Sequence, residues 1–206
     1  MNIICEFGCN WKDNHTFKEM IKECQKIGIE YVKMQLWREG QVPYEVRGMY
    51  ISLEKAHYFH RFAKTKGIEL FFTPFYQSAI NITELIPVKY YKIRLNDCRN
   101  YQLYNAINKL DKRVFVSCQH PLDTVWRNSH NATFFYCVPE YPAKYENYIG
   151  VDKNIFDGIS DHTPDLRLLE ECKKLGATWF EKHVCLDKNC YEARWSVPIK
   201  ELEGLV

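Results

Sequence analysis

Residues 156–186 read FDGISDHTPDLRLLEECKKLGATWFEKHVCL. Phe156–His162 is a short strand-type run, Pro164–Leu175 carries a helical pattern, and Thr178–Leu186 is a second strand-type run. Gly176 follows the helix directly, where a left-handed cap is needed. A strand, a helix and a strand in this order make one parallel βα unit.

The same alternation extends back to the N-terminus. Strands are expected near Asn2–Gly8, Glu30–Trp37, Ile68–Phe75, Tyr90–Leu95, Arg113–Gln119 and Thr133–Pro139, six runs that precede the two already quoted. Helical patterns lie at Thr16–Ile27, Leu53–Lys66 and Tyr101–Leu110, and a closing one at Ile199–Val206. Gly28 and Gly67 cap the first two. Arg38–Ser52, with Pro43 and two glycines, reads as a long loop after the second strand. Eight strand-type runs alternating with helices predict an α/β fold, a compact (β/α)8 TIM barrel forming a single domain over residues 1–206. An open doubly wound sheet is the structural alternative. Such a barrel usually takes about 250 residues, so this one is expected to have reduced helices. Pro121–His130 after strand five and Lys144–Lys153 after strand six are the weak places.

Composition narrows the function classes. Lys plus Arg is 28 and Asp plus Glu is 26, a formal charge of +2. That balance argues against a nucleic-acid partner, because phosphate neutralisation needs a basic excess. No apolar run approaches a membrane span, and the N-terminus lacks the basic and apolar regions of a signal peptide. The nine cysteines include no CxxC, and the close pairs Cys5/Cys9 and Cys185/Cys190 match no zinc-ribbon spacing. Free thiols in a reducing, cytoplasmic setting are expected, with the Asn131-Ala132-Thr133 sequon unused.

In a parallel α/β fold the chemistry sits at the C-terminal ends of the strands, and side chains alternate faces with period two. The polar residues near those ends are Glu6, Gly8 and Asn10; Lys33 and Gln35; Thr73; Lys92 and Arg94; Ser117 and Gln119; Ser160 and His162; Glu181 and His183. A lone buried lysine costs several kcal/mol. Lys33 and Lys92 therefore need negative charge between them. Structural pairing with Glu6 and Glu181 is one reading. An anionic substrate, a phosphate or carboxylate held by Lys33, Lys92 and Arg94, is the other. His162 and His183 end consecutive strands, and imidazole is the commonest metal ligand. A histidine pair by itself is weak evidence, and the default for His15, His57, His60, His120 and His130 is a structural place.

Taken in order, these segments resemble the sialic acid synthase family, which includes N-acetylneuraminate synthase and its legionaminic and pseudaminic acid relatives. The resemblance rests on Cys5-Glu6-Phe7-Gly8-Cys9-Asn10, Val32-Lys33-Met34-Gln35, Phe72-Thr73-Pro74-Phe75, Tyr91-Lys92-Ile93, Tyr141-Pro142, Gly158-Ile159-Ser160-Asp161-His162-Thr163, Gly176–His183 and Ser196–Leu202. The Ser-Asp-His-Thr and Glu-Lys-His segments are the most specific. The resemblance implies a TIM barrel that condenses phosphoenolpyruvate with an N-acylated, mannosamine-like amino sugar, giving a nonulosonic acid and phosphate. It implies a divalent metal ion, Mn2+ or Mg2+, on His162 and His183. Lys33, Thr73, Lys92, Ser117 and Ser160 would contact phosphoenolpyruvate. Glu6 and Glu181 would be the acid/base and positioning carboxylates. Gln35, Tyr141 and Glu192 would face the sugar. A non-catalytic binding relative, or another phosphate-handling lyase or aldolase of the same fold, is the alternative.

The departures from the family pattern are specific. Trp11 stands where the family has histidine, Leu95 where a serine is expected, Cys118-Gln119 for Thr-Gly, and Pro139 for asparagine. Arg94 is expected to replace the lost serine as a phosphate contact. Glu192 stands for the sugar-contacting aspartate, in a loop about two residues shorter by the family comparison. Family members also carry a C-terminal antifreeze-like domain whose arginine reaches a neighbouring active site. The expectation for residues ending at Val206 is a barrel without that domain, acting as a homodimer or with a separate antifreeze-like partner.

Overall fold

A computed structural model describes every residue except Glu39 and Lys153. Eight strands pair side by side in chain order, all parallel: β1 (Asn2–Glu6), β2 (Tyr31–Leu36), β3 (Glu69–Pro74), β4 (Tyr90–Ile93), β5 (Arg113–Cys118), β6 (Ala132–Cys137), β7 (Gly158–Asp161) and β8 (Trp179–Cys185). β8 then pairs with β1 from Asn2↔Trp179 to Glu6↔His183. That pairing closes the barrel and excludes the open sheet.

The outer layer is uneven, as the sequence predicts. Helices α1 (Asn14–Lys26), α2 (Leu53–Thr65), α3 (Ala79–Glu84), α4 (Tyr101–Ile107) and α5 (Arg167–Lys174) follow β1, β2, β3, β4 and β7. Asp13, Ser52 and Asn100 cap the starts of α1, α2 and α4, each accepting a backbone N–H from the first turn. Gly28, Gly67 and Gly176 carry positive φ just past α1, α2 and α5. Among the described residues, only 3-10 turns follow β5 and β6, at Pro121–Asp123 and Tyr145–Tyr148. The last residue of the weak run 144–153 lies outside the described residues.

Four features differ from expectation. α3 follows β3, where no clear helical pattern stands out in the sequence, because Ala79, Ile80 and Thr83 find buried places against the core. The closing helix expected at Ile199–Val206 is one 3-10 turn, Ile199–Leu202, followed by Gly204 with φ +77°. Just before it, β9 (Val197–Pro198) adds a short parallel pair to the end of β8. The loop 38–52 also contains a 3-10 turn, Tyr44–Met49.

The lower barrel interior is filled by Ile4, Phe71, Phe115, Phe135 and Trp179, with Tyr31 and Tyr90 packed against them. Phe115 and Trp179 meet at 4.7 Å between ring centres. Gly158 makes room for this plug: a Cβ there would stand 2.7 Å from the Trp179 carbonyl oxygen. Large rings at one end of a narrow barrel leave the polar residues of the next layers at the other end. There they line the open end of the barrel axis.

Candidate active site

A cavity of about 530 Å³ opens at the C-terminal ends of the strands, a volume suited to a small ligand. Lys33, Gln35, Thr73, Lys92, Arg94, Ser117, Tyr141, Ser160, His162, Glu181, His183 and Glu192 all line it. Glu6 is fully buried beneath this layer, against Lys33. The fold therefore brings together every residue that the sequence singled out as a site residue. Gln119 is exposed and outside the cavity, and Asn10 is buried beside its wall.

The floor is a chain of ion pairs. Lys33 Nζ touches a Glu6 oxygen, lies 3.2 Å from Glu181 Oε1 and donates to Thr73 Oγ1 at 3.0 Å. Lys92 Nζ lies 3.1 Å from Glu181 Oε2 and donates to the Ser117 hydroxyl. Register explains the meeting: β1 sits between β2 and β8, so Glu6 is level with Lys33 on one side and His183 on the other. Two ammoniums and two carboxylates cancel. The lysines thus already have the carboxylate partners that one of the two sequence readings gave them, and Arg94 has Asp97 at 2.5 Å. The Arg94 guanidinium also lies over the Phe75 ring, 3.6 Å from its centre.

Environment separates the two carboxylates. Burial raises the Glu6 carboxyl, and the nearby Lys33 only partly opposes it. Glu181 is equally buried, but Lys33 and Lys92 together bring it down to about 2. Lys33 is held above its ordinary value because two carboxylates outweigh its burial, whereas Lys92, with Glu181 alone, falls below. Glu6 is accordingly the carboxyl suited to carrying a proton, and Glu181 the permanent anion.

The opposite wall is imidazole and aromatic. His162 Nδ1 faces the Val138 carbonyl at 2.8 Å, and His183 Nδ1 faces Glu192 Oε2 at 2.7 Å. Each ring therefore has its Nε2 free of these bonds. The ring centres are 5.5 Å apart. Two imidazoles this close, each with Nε2 unengaged, could share one ion. Burial, followed by the His183 charge, lowers His162 to about 3, which keeps it neutral. Burial also pushes His183 down, but Glu192 more than offsets it, so a proton competes with any ion there. Among the described residues no group of three or more His, Cys, Asp or Glu is arranged to hold a metal. The donors available are the histidine pair, with the remaining positions left to water and substrate, an arrangement that fits an open site.

Trp195 and Cys137 also line the cavity and escaped the sequence reading, whereas Tyr141 was expected there. Tyr141 stacks on His162 with ring centres 4.0 Å apart, and Trp195 closes on Tyr141 at 5.5 Å. Cys137 faces Ser117 and Ser160, with burial pushing its thiol up to about 11. Cys137 was legible by period two from Phe135. Trp195 lies in a loop, and no periodicity could have placed it. Of the other histidines, His120 caps a turn by accepting the Leu122 N–H, and His130 lies beside Asp111 on the surface.

A profile of the NeuB family matches residues 14–206. An uncharacterised protein of Methanocaldococcus jannaschii is 28% identical over 91% of this chain and 63% of its own length. The N,N'-diacetyllegionaminic acid synthase of Campylobacter jejuni is 27% identical over 91% of this chain and 68% of its own length. The chain thus spans about two thirds of these relatives. Among solved structures, the N-acetylneuraminic acid (sialic acid) synthetase of Leptospira borgpetersenii, crystallised with citrate, superposes with a TM-score of 0.85 at 22% identity. That match covers 98% of this chain and 80% of that one, a likeness of fold.

Proposed function

Since the chain belongs to the NeuB family, we propose that it condenses phosphoenolpyruvate with the aldehyde of an N-acylated amino sugar to give a nonulosonic acid and phosphate. The observation that carries this reading is the floor of the cavity, where two buried lysines and two hydroxyls face one small enclosed space. Charged hydrogen bonds of this kind suit a phosphate and a carboxylate held close together.

The proposed reaction forms a bond between C3 of phosphoenolpyruvate and the aldehyde carbon. Water adds at C2, the C2–O bond to phosphorus breaks, and a ketone remains. The two protons of water end on the new hydroxyl and on the released phosphate. Lys33 and Lys92 hold the anion, and Thr73, Ser117 and Ser160 orient it from the same layer. Arg94 adds a cation at the rim. Glu181 keeps both lysines charged and in place. Glu6, the carboxyl raised by burial, moves a proton at the reacting carbons. Tyr141 and Gln35, on the outer side of the cavity, offer a ring face and an amide to the sugar.

Phosphoenolpyruvate brings up to three negative charges to a floor whose own charges cancel. A proton on Glu6 and a cation near the histidines offset that load. A divalent ion, Mn2+ or Mg2+, held by His162 and His183 would act as a Lewis acid on the aldehyde oxygen.

The test is phosphate release from phosphoenolpyruvate with Mn2+ across a panel of N-acylated amino sugars. Release matched by formation of a nonulosonic acid is expected for at least one sugar. Tight phosphoenolpyruvate binding without release for any of them would make the protein a binding relative instead. Turnover without phosphate release would point to a lyase.

A further inference from the structure

We infer that Glu192 is a positioning residue for His183, locking the imidazole so that its Nε2 faces the cavity, rather than a contact to the sugar. The inference rests on the reading of the histidine pair as the ion-holding group. Its geometry stands apart from that reading.

Glu192 stands in the wall of the cavity with one carboxylate oxygen committed to a histidine. Glu192 is 6% exposed, and its Oε2 lies 2.7 Å from His183 Nδ1. The approach is built into the backbone. Gly8 has φ +47°, and a Cβ there would stand 2.6 Å from the Glu192 carboxyl carbon. Glycine just past β1 lets the Glu192 carboxylate sit there, and a larger side chain would displace it.

The loop carrying Glu192 is fixed from both sides. Its N–H donates to Asn10 Oδ1 at 3.0 Å. The Asn10 amide in turn donates to the Val184 carbonyl at 2.8 Å and the Ser196 hydroxyl at 2.9 Å. Asn10 thus ties the Glu192 loop to the strand that carries His183. Lys188 closes the loop by donating to the carbonyls of Ala193, at 3.2 Å, and Ser196.

A carboxylate accepting from Nδ1–H fixes which nitrogen carries the proton and which is free to bind an ion. Such outer partners are worth about 10–100-fold in metal affinity. A sugar contact, by contrast, would leave ion affinity untouched and raise the KM for the sugar.

The experiment compares wild type, E192A, E192D and H183A, each stripped with chelator and titrated with Mn2+ by calorimetry. The imidazole N–H protons are followed in parallel by 15N-edited NMR in the ion-free proteins. Expected results are a protected His183 Nδ1–H in wild type that is lost in E192A, and an Mn2+ affinity about 10–100-fold weaker in E192A, with partial recovery in E192D. Wild-type Mn2+ affinity in E192A, with H183A weak, would overturn the role of Glu192 alone. A raised sugar KM at unchanged Mn2+ affinity would overturn it in favour of the sugar contact. No Mn2+ binding by wild type would overturn the reading of the histidine pair, and this role with it.

Discussion

Lys92 has two polar partners in the barrel, the Glu181 carboxylate and the Ser117 hydroxyl. Removing the carboxylate strands a buried ammonium, so E181Q is expected to lose about 3–5 kcal/mol of stability at neutral pH. The pH dependence has a definite sign. Burial already holds Lys92 below its ordinary 10.5, and Glu181 opposes that fall. Without Glu181 the folded value drops further while the unfolded value stays. The unfolded chain then binds the extra proton, so the deficit is full below the folded value and fades as pH rises toward 10.5. Urea titrations of E181Q against wild type should show the gap narrowing from pH 7 to about pH 10. A constant gap would mean that Lys92 keeps its charge by another route. Arg94 is different, because it is only partly buried and pairs with a neighbouring aspartate. R94A should raise the KM for phosphoenolpyruvate about tenfold at little change in kcat, the size of one charged hydrogen bond. An unchanged KM would remove Arg94 from the anion site.

The end of β7 shows how an element aims a residue. Asp161 points out of the barrel and pairs with Lys182 of β8 at 2.8 Å, both fully buried. Asp161 also accepts the Thr163 N–H at 2.7 Å. The Tyr148 hydroxyl donates to the Ser160 carbonyl at 3.1 Å and accepts the His162 N–H at 3.2 Å. These bonds fix the turn on which His162 sits. D161A leaves Lys182 buried and unpaired, and a loss of about 3–5 kcal/mol is expected in denaturant melts. A loss under about 1 kcal/mol would show that water reaches Lys182. At this scale the strands were legible, because eight runs of β-type residues stand between helical patterns and glycine caps. α3 was not, since its six residues are too few to display a period. The closing helix was misread because Gly204 and the Val197–Pro198 pairing act against the local pattern.

At the level of the whole barrel, an aromatic plug fills one end and polar residues converge at the other. The four charges on the floor cancel, so in the proposed reaction the trianion calls for a cation beside it. Chelator treatment is therefore expected to abolish turnover, and Mn2+ to restore it in wild type but not in H162A or H183A. Full activity after exhaustive chelation would remove the ion from the mechanism. Among the described residues no helix is long and apolar enough to cross a membrane.

The sequence by itself determined the order of strands and helices, and by period two it named the side chains that point to the barrel axis. Such periods are local and need no knowledge of the fold. Only the tertiary structure decided what those side chains meet. β8 closing on β1 places Glu6 beside both Lys33 and His183. Asn10 and Glu192, 182 positions apart, share a hydrogen bond. Glu181 spans two lysines, and Glu192, in the cavity wall, commits an oxygen to His183. Those pairings depend on strand register and on the space that Gly8 leaves, and neither is written in any local pattern of residues.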